Sequence, residues 1–128
     1  MTIPNPPGPA QTTVEFPAGE RFRSVPRLVL GGVAARFELP IDRVDDLLLA
    51  VESLLMQETV GDTLRLEAEA TPSGLCVRLG SFQPGQLDDP GLRRVLTPLV
   101  ESVEEHADGD AAALIELVVS ATYRPETT

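Results

Sequence analysis

Residues 49–58 read LAVESLLMQE, an almost wholly apolar run that carries a carboxylate, a hydroxyl and an amide close together at Glu52, Ser53 and Gln57. On a helix, Asp46, Ala50, Ser53 and Gln57 align in one narrow stripe beside the apolar face. Such a stripe either works on a ligand or is only the less buried side of a core helix, since one-sided polarity is the ordinary state of a helix. Other reactive groups are few. Cys76 is the one cysteine, so no internal disulfide is possible. No base stands near it in sequence to stabilise a thiolate, and a structural thiol is expected. His106 is the one histidine, set between acidic residues. With no second ligand at a zinc-binding spacing, no metal site is expected there. The run Glu101, Glu104, Glu105, Asp108 and Asp110 reads as a solvated helix end, or as an acidic docking patch for a basic partner.

The elements that must position these groups follow from the periodicity. Residues 1–12 hold four prolines and a glycine and form a tail with nothing to pack. TVEF (13–16) alternates as a short strand. Ser24 is placed to cap a helix over about 25–37, with Pro26 in its first turn. Val25, Val29, Val33 and Phe37 would share one stripe of it. Gly31 and Gly32 weaken that helix by about 1 kcal/mol each relative to alanine. They are either a close-packing point or a tolerated flaw. Pro40 ends the pattern, and a second helix over about 41–58 turns Val44, Leu47, Leu48, Val51, Leu54 and Leu55 inward. TLRLEAEA (63–70) alternates strictly, TPSG (71–74) is a turn, and LCVRLGS (75–81) pairs back as a hairpin. Leu64, Leu66, Leu75, Val77 and Leu79 point inward, and Cys76 falls on the opposite face. Two prolines and two glycines make 82–91 a loop. A third helix is expected over about 91–106, kinked at Pro98, and 111–123 is an apolar strand. A short tail ends the chain at 125–128.

This order, β-α-α-β-β-α-β, read together with LLLAVESLL, resembles the anti-sigma factor and serine-kinase branch of the histidine-kinase-like (GHKL) ATPases over residues 13–124. RSVPRLVLGGVAARFELP is similar to the family's first helix and IDRVDDLLLAVES to the start of its second. The resemblance implies an α+β domain: a two-layer α/β sandwich whose mixed, mainly antiparallel four-stranded sheet is covered on one face by three helices. It also implies a nucleotide site, built on a helix pattern like A-V-x-E-x-x-x-N. The glutamate of that pattern is a general base and the asparagine a Mg²⁺ ligand. Aligned on Ala50-Val51, these two positions hold Ser53 and Gln57. Serine is no base at neutral pH, and glutamine is one methylene too long for tight octahedral geometry. A register shifted by one gives Glu52 but loses the metal ligand to Met56. At the D-x-G-x-G box, which reads adenine, Ser81 replaces the aspartate and Gln83 the first glycine, while Gly85 is kept. Of the glycine-rich lid only Gly91-Leu92 remains, preceded by Asp88 and Asp89. Arg93 and Arg94 are the nearest cations.

Ser53, Gln57, Ser81 and Gly85 are thus the positions of a degenerate nucleotide site with no catalytic residue. ATP and Mg²⁺ are expected as cofactors only if that site works. The resemblance implies a sigma factor or an anti-sigma antagonist as partner and permits a homodimer. The acidic composition suits a basic protein partner or is only what keeps the chain soluble. The 128 residues carry a formal net charge of −10, and all ten basic residues are arginine. Clustered positive charge for nucleic acid is missing. No apolar run reaches the 18 residues of a membrane span, and the N-terminus has no signal-peptide pattern. A cytoplasmic protein is expected.

Overall fold

The computed structural model describes residues 11–72 and 74–120. The main elements are β1 (Gln11–Pro17), α1 (Ser24–Arg36), α2 (Ile41–Leu55), β2 (Thr63–Thr71), β3 (Gly74–Phe82), α3 (Pro90–Leu96), β4 (Ser102–Ala107) and β5 (Ala113–Ser120). The strands form one sheet in the order β1-β2-β3-β5-β4, and every neighbouring pair is antiparallel. The class is therefore α+β, but the sheet has five strands rather than four and is not mixed. Gln11 and Thr12 belong to β1, opposite Glu69 and Ala68, so the expected tail boundary at residue 12 is too late. Residues 1–10 and the tail at 125–128 lie outside the described residues.

The extra strand comes from the segment expected to complete the third helix. Pro98 does not kink a long helix; α3 ends before it, at Leu96. Proline has no N–H to donate to a helical hydrogen bond, so the ladder cannot continue through Pro98. The chain then turns, and Val103 pairs with Leu117 while Glu104 pairs with Glu116. Asp89 caps the start of α3, accepting from Gly91 N at 2.9 Å, with Pro90 in the first turn where its missing N–H costs nothing.

The core lies between the helices and one face of the sheet. Leu64, Leu66, Leu75, Val77, Leu79, Ile115, Leu117 and Val119 meet Leu30 and Val33 of α1, Leu47, Val51 and Leu54 of α2, and Leu96 of α3. Each such fully buried side chain contributes roughly 1.5–3 kcal/mol relative to exposure. The alternation of β2 and β3 is as expected. The stripe of α1 is rotated: Pro26, Leu30, Val33 and Ala34 are buried, whereas Phe37 is exposed. Helix α2 buries Leu47, Val51, Leu54 and Leu55 as expected, and adds Arg43. That guanidinium reaches the far end of the sheet layer. It donates to Leu99 O at 3.1 Å and Ser120 O at 3.3 Å, and to Asp46 Oδ2 at 2.5 Å. No helix among the described residues is long and apolar enough to cross a membrane.

Candidate functional site

The four positions of the expected nucleotide site fall on two segments that run side by side. Val60 N donates to Ser81 O and Gln83 N to Glu58 O, both at 3.0 Å, so the segment that follows α2 lies along the end of β3. The backbone is brought together, but the side chains do not converge on a shared space. Ser53 Oγ donates to Leu49 O within its own helix at 3.0 Å, and Gln57 Nε2 donates to Ser53 O at 3.1 Å. For Ser53 this is the ordinary back-bond of a mid-helix hydroxyl to the carbonyl one turn earlier, and Gln57 bonds one turn back in the same way. Glu52, the base of the alternative register, lies on the outer side of α2 in an ion pair with Arg27 of α1.

On the other segment, Ser81 Oγ donates to Asp108 Oδ2 at 2.5 Å, and Gly85 N donates to Glu105 Oε2 at 2.9 Å. The register between β3 and β5 shifts between Gly80 and Phe82, which carries Ser81 off the core-facing alternation toward the turn after β4. Two carboxylates thus occupy the groups that would meet a nucleotide. At Gly91-Leu92, where the resemblance led to the expectation of a lid, Asp89 occupies the helix start and Arg93 Nε is turned back to Leu87 O at 2.8 Å. Gln57 lines a cavity of about 190 Å³, shared with Phe16, Arg23, Met56 and Thr59. Ligand clefts usually span roughly 300–1,000 Å³. The acidic run is dispersed as well. It is not a helix end: Glu105 and Asp108 hold the 81–85 loop, and Glu104 faces across the open side of the sheet.

That open side carries a polar constellation that sequence reasoning missed. One row crosses the sheet as Thr13, Glu67, Arg78, Glu116 and Glu104, each opposite the next. Arg78 sits at the centre, with Nε 3.0 Å from Glu116 Oε2, Nη2 3.1 Å from Glu69 Oε1 and Nη1 3.7 Å from Glu67 Oε1. His106 Nε2 lies 3.3 Å from Glu116 Oε1 and 3.5 Å from Glu104 Oε1. Cys76 is buried in the adjoining row and its thiol donates to Glu116 Oε2 at 3.3 Å. Burial, and then that hydrogen bond, push the Cys76 thiol up to about 11, so it stays protonated as expected of a structural thiol. Burial alone would raise Glu116. Hydrogen bonds from Cys76, His106 and Arg78, with the Arg78 charge, outweigh it and hold the carboxyl below its ordinary value. The signal was available in VEEHA. At strand period, Glu104 and His106 share a face; the expected helix through this segment hid it.

No profile of a known protein family matches the sequence, and no curated protein matches it.

Proposed function

We propose that this chain is a regulatory binding domain of the anti-sigma type in the histidine-kinase-like ATPase superfamily. It acts by holding a sigma factor or an anti-sigma antagonist, without phosphoryl transfer. The observation that carries this reading is the outward stripe of α2. Ile41, Asp45, Leu48, Leu49, Glu52 and Met56 share one side of the helix by their spacing, and Ile41, Leu49 and Met56 are 74%, 52% and 70% exposed. Leu28, beside Arg27 on α1, is 73% exposed. Arg27, Asp45, Leu48, Leu49 and Glu52 line a groove between the two helices. Single exposed apolar residues are ordinary, whereas a grouped set rimmed by charge suits a protein contact. Asp45 and Glu52, in a chain of net charge −10, favour an amphipathic helix with basic flanks, the composition expected of a sigma factor's DNA-binding region. The local hydrogen bonds of Ser53, Gln57 and Ser81 support an inactive nucleotide site. A symmetric pair through β1 or α1 is the homodimer that this reading permits.

The test is capture of purified sigma factors from the source organism at low and high salt. The expected result is capture that Leu49→Glu and Leu28→Glu each weaken at least tenfold. Reversal of Glu101, Glu104 and Glu105 to lysine, a surface away from the groove, is expected to leave it unchanged. Failure to hold any sigma factor or antagonist overturns the reading. A divergent ATP-dependent serine/threonine-protein kinase is the second reading, favoured by the place of Gln57 at the edge of a cavity.

A further inference from the structure

The geometry points to a transition-metal site of zinc class on the open face of the sheet, with Glu104 and His106 of β4 and Glu116 of β5 as its three protein ligands. The donor atoms come from adjacent strands and lie within 4.8 Å of one another. His106 Nε2 is hydrogen-bonded to Glu116 Oε1 at 3.3 Å and lies 3.5 Å from Glu104 Oε1. The same two separations match a coordination edge: two donors each about 2.1 Å from a tetrahedral zinc centre lie roughly 3.4 Å apart. Glu104 and Glu116 stand directly opposite each other on antiparallel strands. Like charges so placed are unfavourable, and a cation between them removes the repulsion. Glu116 is also oriented for the role. Arg78 Nε holds its Oε2 at 3.0 Å, which leaves Oε1 turned toward His106. Hydrogen bonds of this kind, from a neighbour to a ligand's second oxygen, are how metal sites fix their carboxylates. Cys76 is not assigned as a ligand, because its thiol keeps its proton and donates it in a hydrogen bond to Glu116 Oε2. Three protein donors at an exposed face leave a fourth position for water or for a donor from a bound partner. An imidazole with two carboxylates selects zinc-like ions over magnesium or calcium, which prefer all-oxygen shells.

The experiment is calorimetric titration of the full chain with zinc chloride in a non-chelating buffer at neutral pH, repeated with magnesium chloride. The expected result is one zinc ion per chain with a dissociation constant below about 100 μM, and no comparable magnesium binding. His106→Ala and Glu104→Gln are each expected to weaken zinc binding at least tenfold. Both residues are exposed on an edge strand, and circular dichroism checks that the variants fold. Cys76→Ser is expected to bind as the parent does. Because the chain holds one histidine, zinc binding unchanged in His106→Ala would overturn the assignment. So would zinc binding lost in Cys76→Ser, or no binding at all.

Discussion

Arg78 is the residue on which the open face of the sheet depends. Its guanidinium separates Glu67, Glu69 and Glu116, which would otherwise meet across β2, β3 and β5 with like charge. The side chain is about three-quarters covered, with 25% exposed, so the pairing is less screened than an ordinary surface ion pair. Arg78→Ala removes three ion pairs at once and is expected to cost about 1–2 kcal/mol of stability at pH 7. The sign with pH is definite. The Glu116 carboxyl is held below its ordinary value, so it contributes stability above the unfolded value near 4.5 and loses it as the pH falls through the folded value. The deficit of Arg78→Ala should therefore be larger at pH 7 than at pH 3, as read by denaturant unfolding at both. Equal deficits would mean that packing of the Arg78 stem, not its charge, stabilises the face. At this scale the sequence was partly legible. The alternation of β2 and β3 placed Arg65, Glu67, Glu69 and Cys76 on the outer face. It could not show that the neighbours across the next strand are Glu116 and then Glu104, because that depends on long-range strand order.

At the scale of elements, three glycines separate two physical roles. Gly31 and Gly32 in α1 were open to either of two readings, close packing or tolerated weakness. A Cβ built at either meets no atom within 4 Å. Gly31→Ala and Gly32→Ala should each stabilise the fold by about 0.5–1 kcal/mol through helix propensity and a less free unfolded chain. Gly74 begins β3 where the strand passes β5, and a Cβ there would lie 2.0 Å from Val119 O. That neighbour is backbone and cannot swing aside, so Gly74→Ala should destabilise by about 1–3 kcal/mol. Thermal unfolding of the three variants checks both signs, and a stabilised Gly74→Ala would refute the close approach of β3 and β5. Helices α1 and α2 and the β2–β3 hairpin were legible because local periodicity and Pro40 determine them. The α3–β4 segment was not. LRRVLTPLVESVEEH carries helix-compatible charge and spacing, and the pairing of Val103 with Leu117 is won by contacts from β5. Pro98 was the one local signal, and it marks an end rather than a kink. Arg43 was invisible for the same reason. An arginine in the first turn of an amphipathic helix is ordinarily solvated, and only the tertiary fold supplies Leu99 O and Ser120 O to bury it.

At the scale of the whole molecule, charge and internal hydrogen bonding act together against a nucleotide. The chain carries −10 with no lysine, so a polyphosphate approaches a repulsive surface, and the field is strongest at low salt, where the Debye length exceeds about 10 Å. Near the expected site this general repulsion becomes local. Asp108 holds Ser81, Glu105 holds the amide of Gly85, and Asp89 caps the helix where phosphates would dock. Binding ATP would require breaking these contacts and placing its phosphates beside three carboxylates. Two consequences can be measured in one experiment. Calorimetry with Mg-ATP is expected to give no binding tighter than about 1 mM, equivalent to roughly −4 kcal/mol. Raising the salt from 0.05 to 0.5 M is expected to leave whatever weak heat exists unchanged or slightly larger, because screening relieves repulsion rather than attraction. Micromolar binding that weakens with salt would instead require a cationic phosphate cradle. Arg93 and Arg94 are the nearest arginines to supply it, and Arg93 would have to release Leu87 O to do so. That outcome would restore the kinase reading and make Gln57→Ala the next variant to measure.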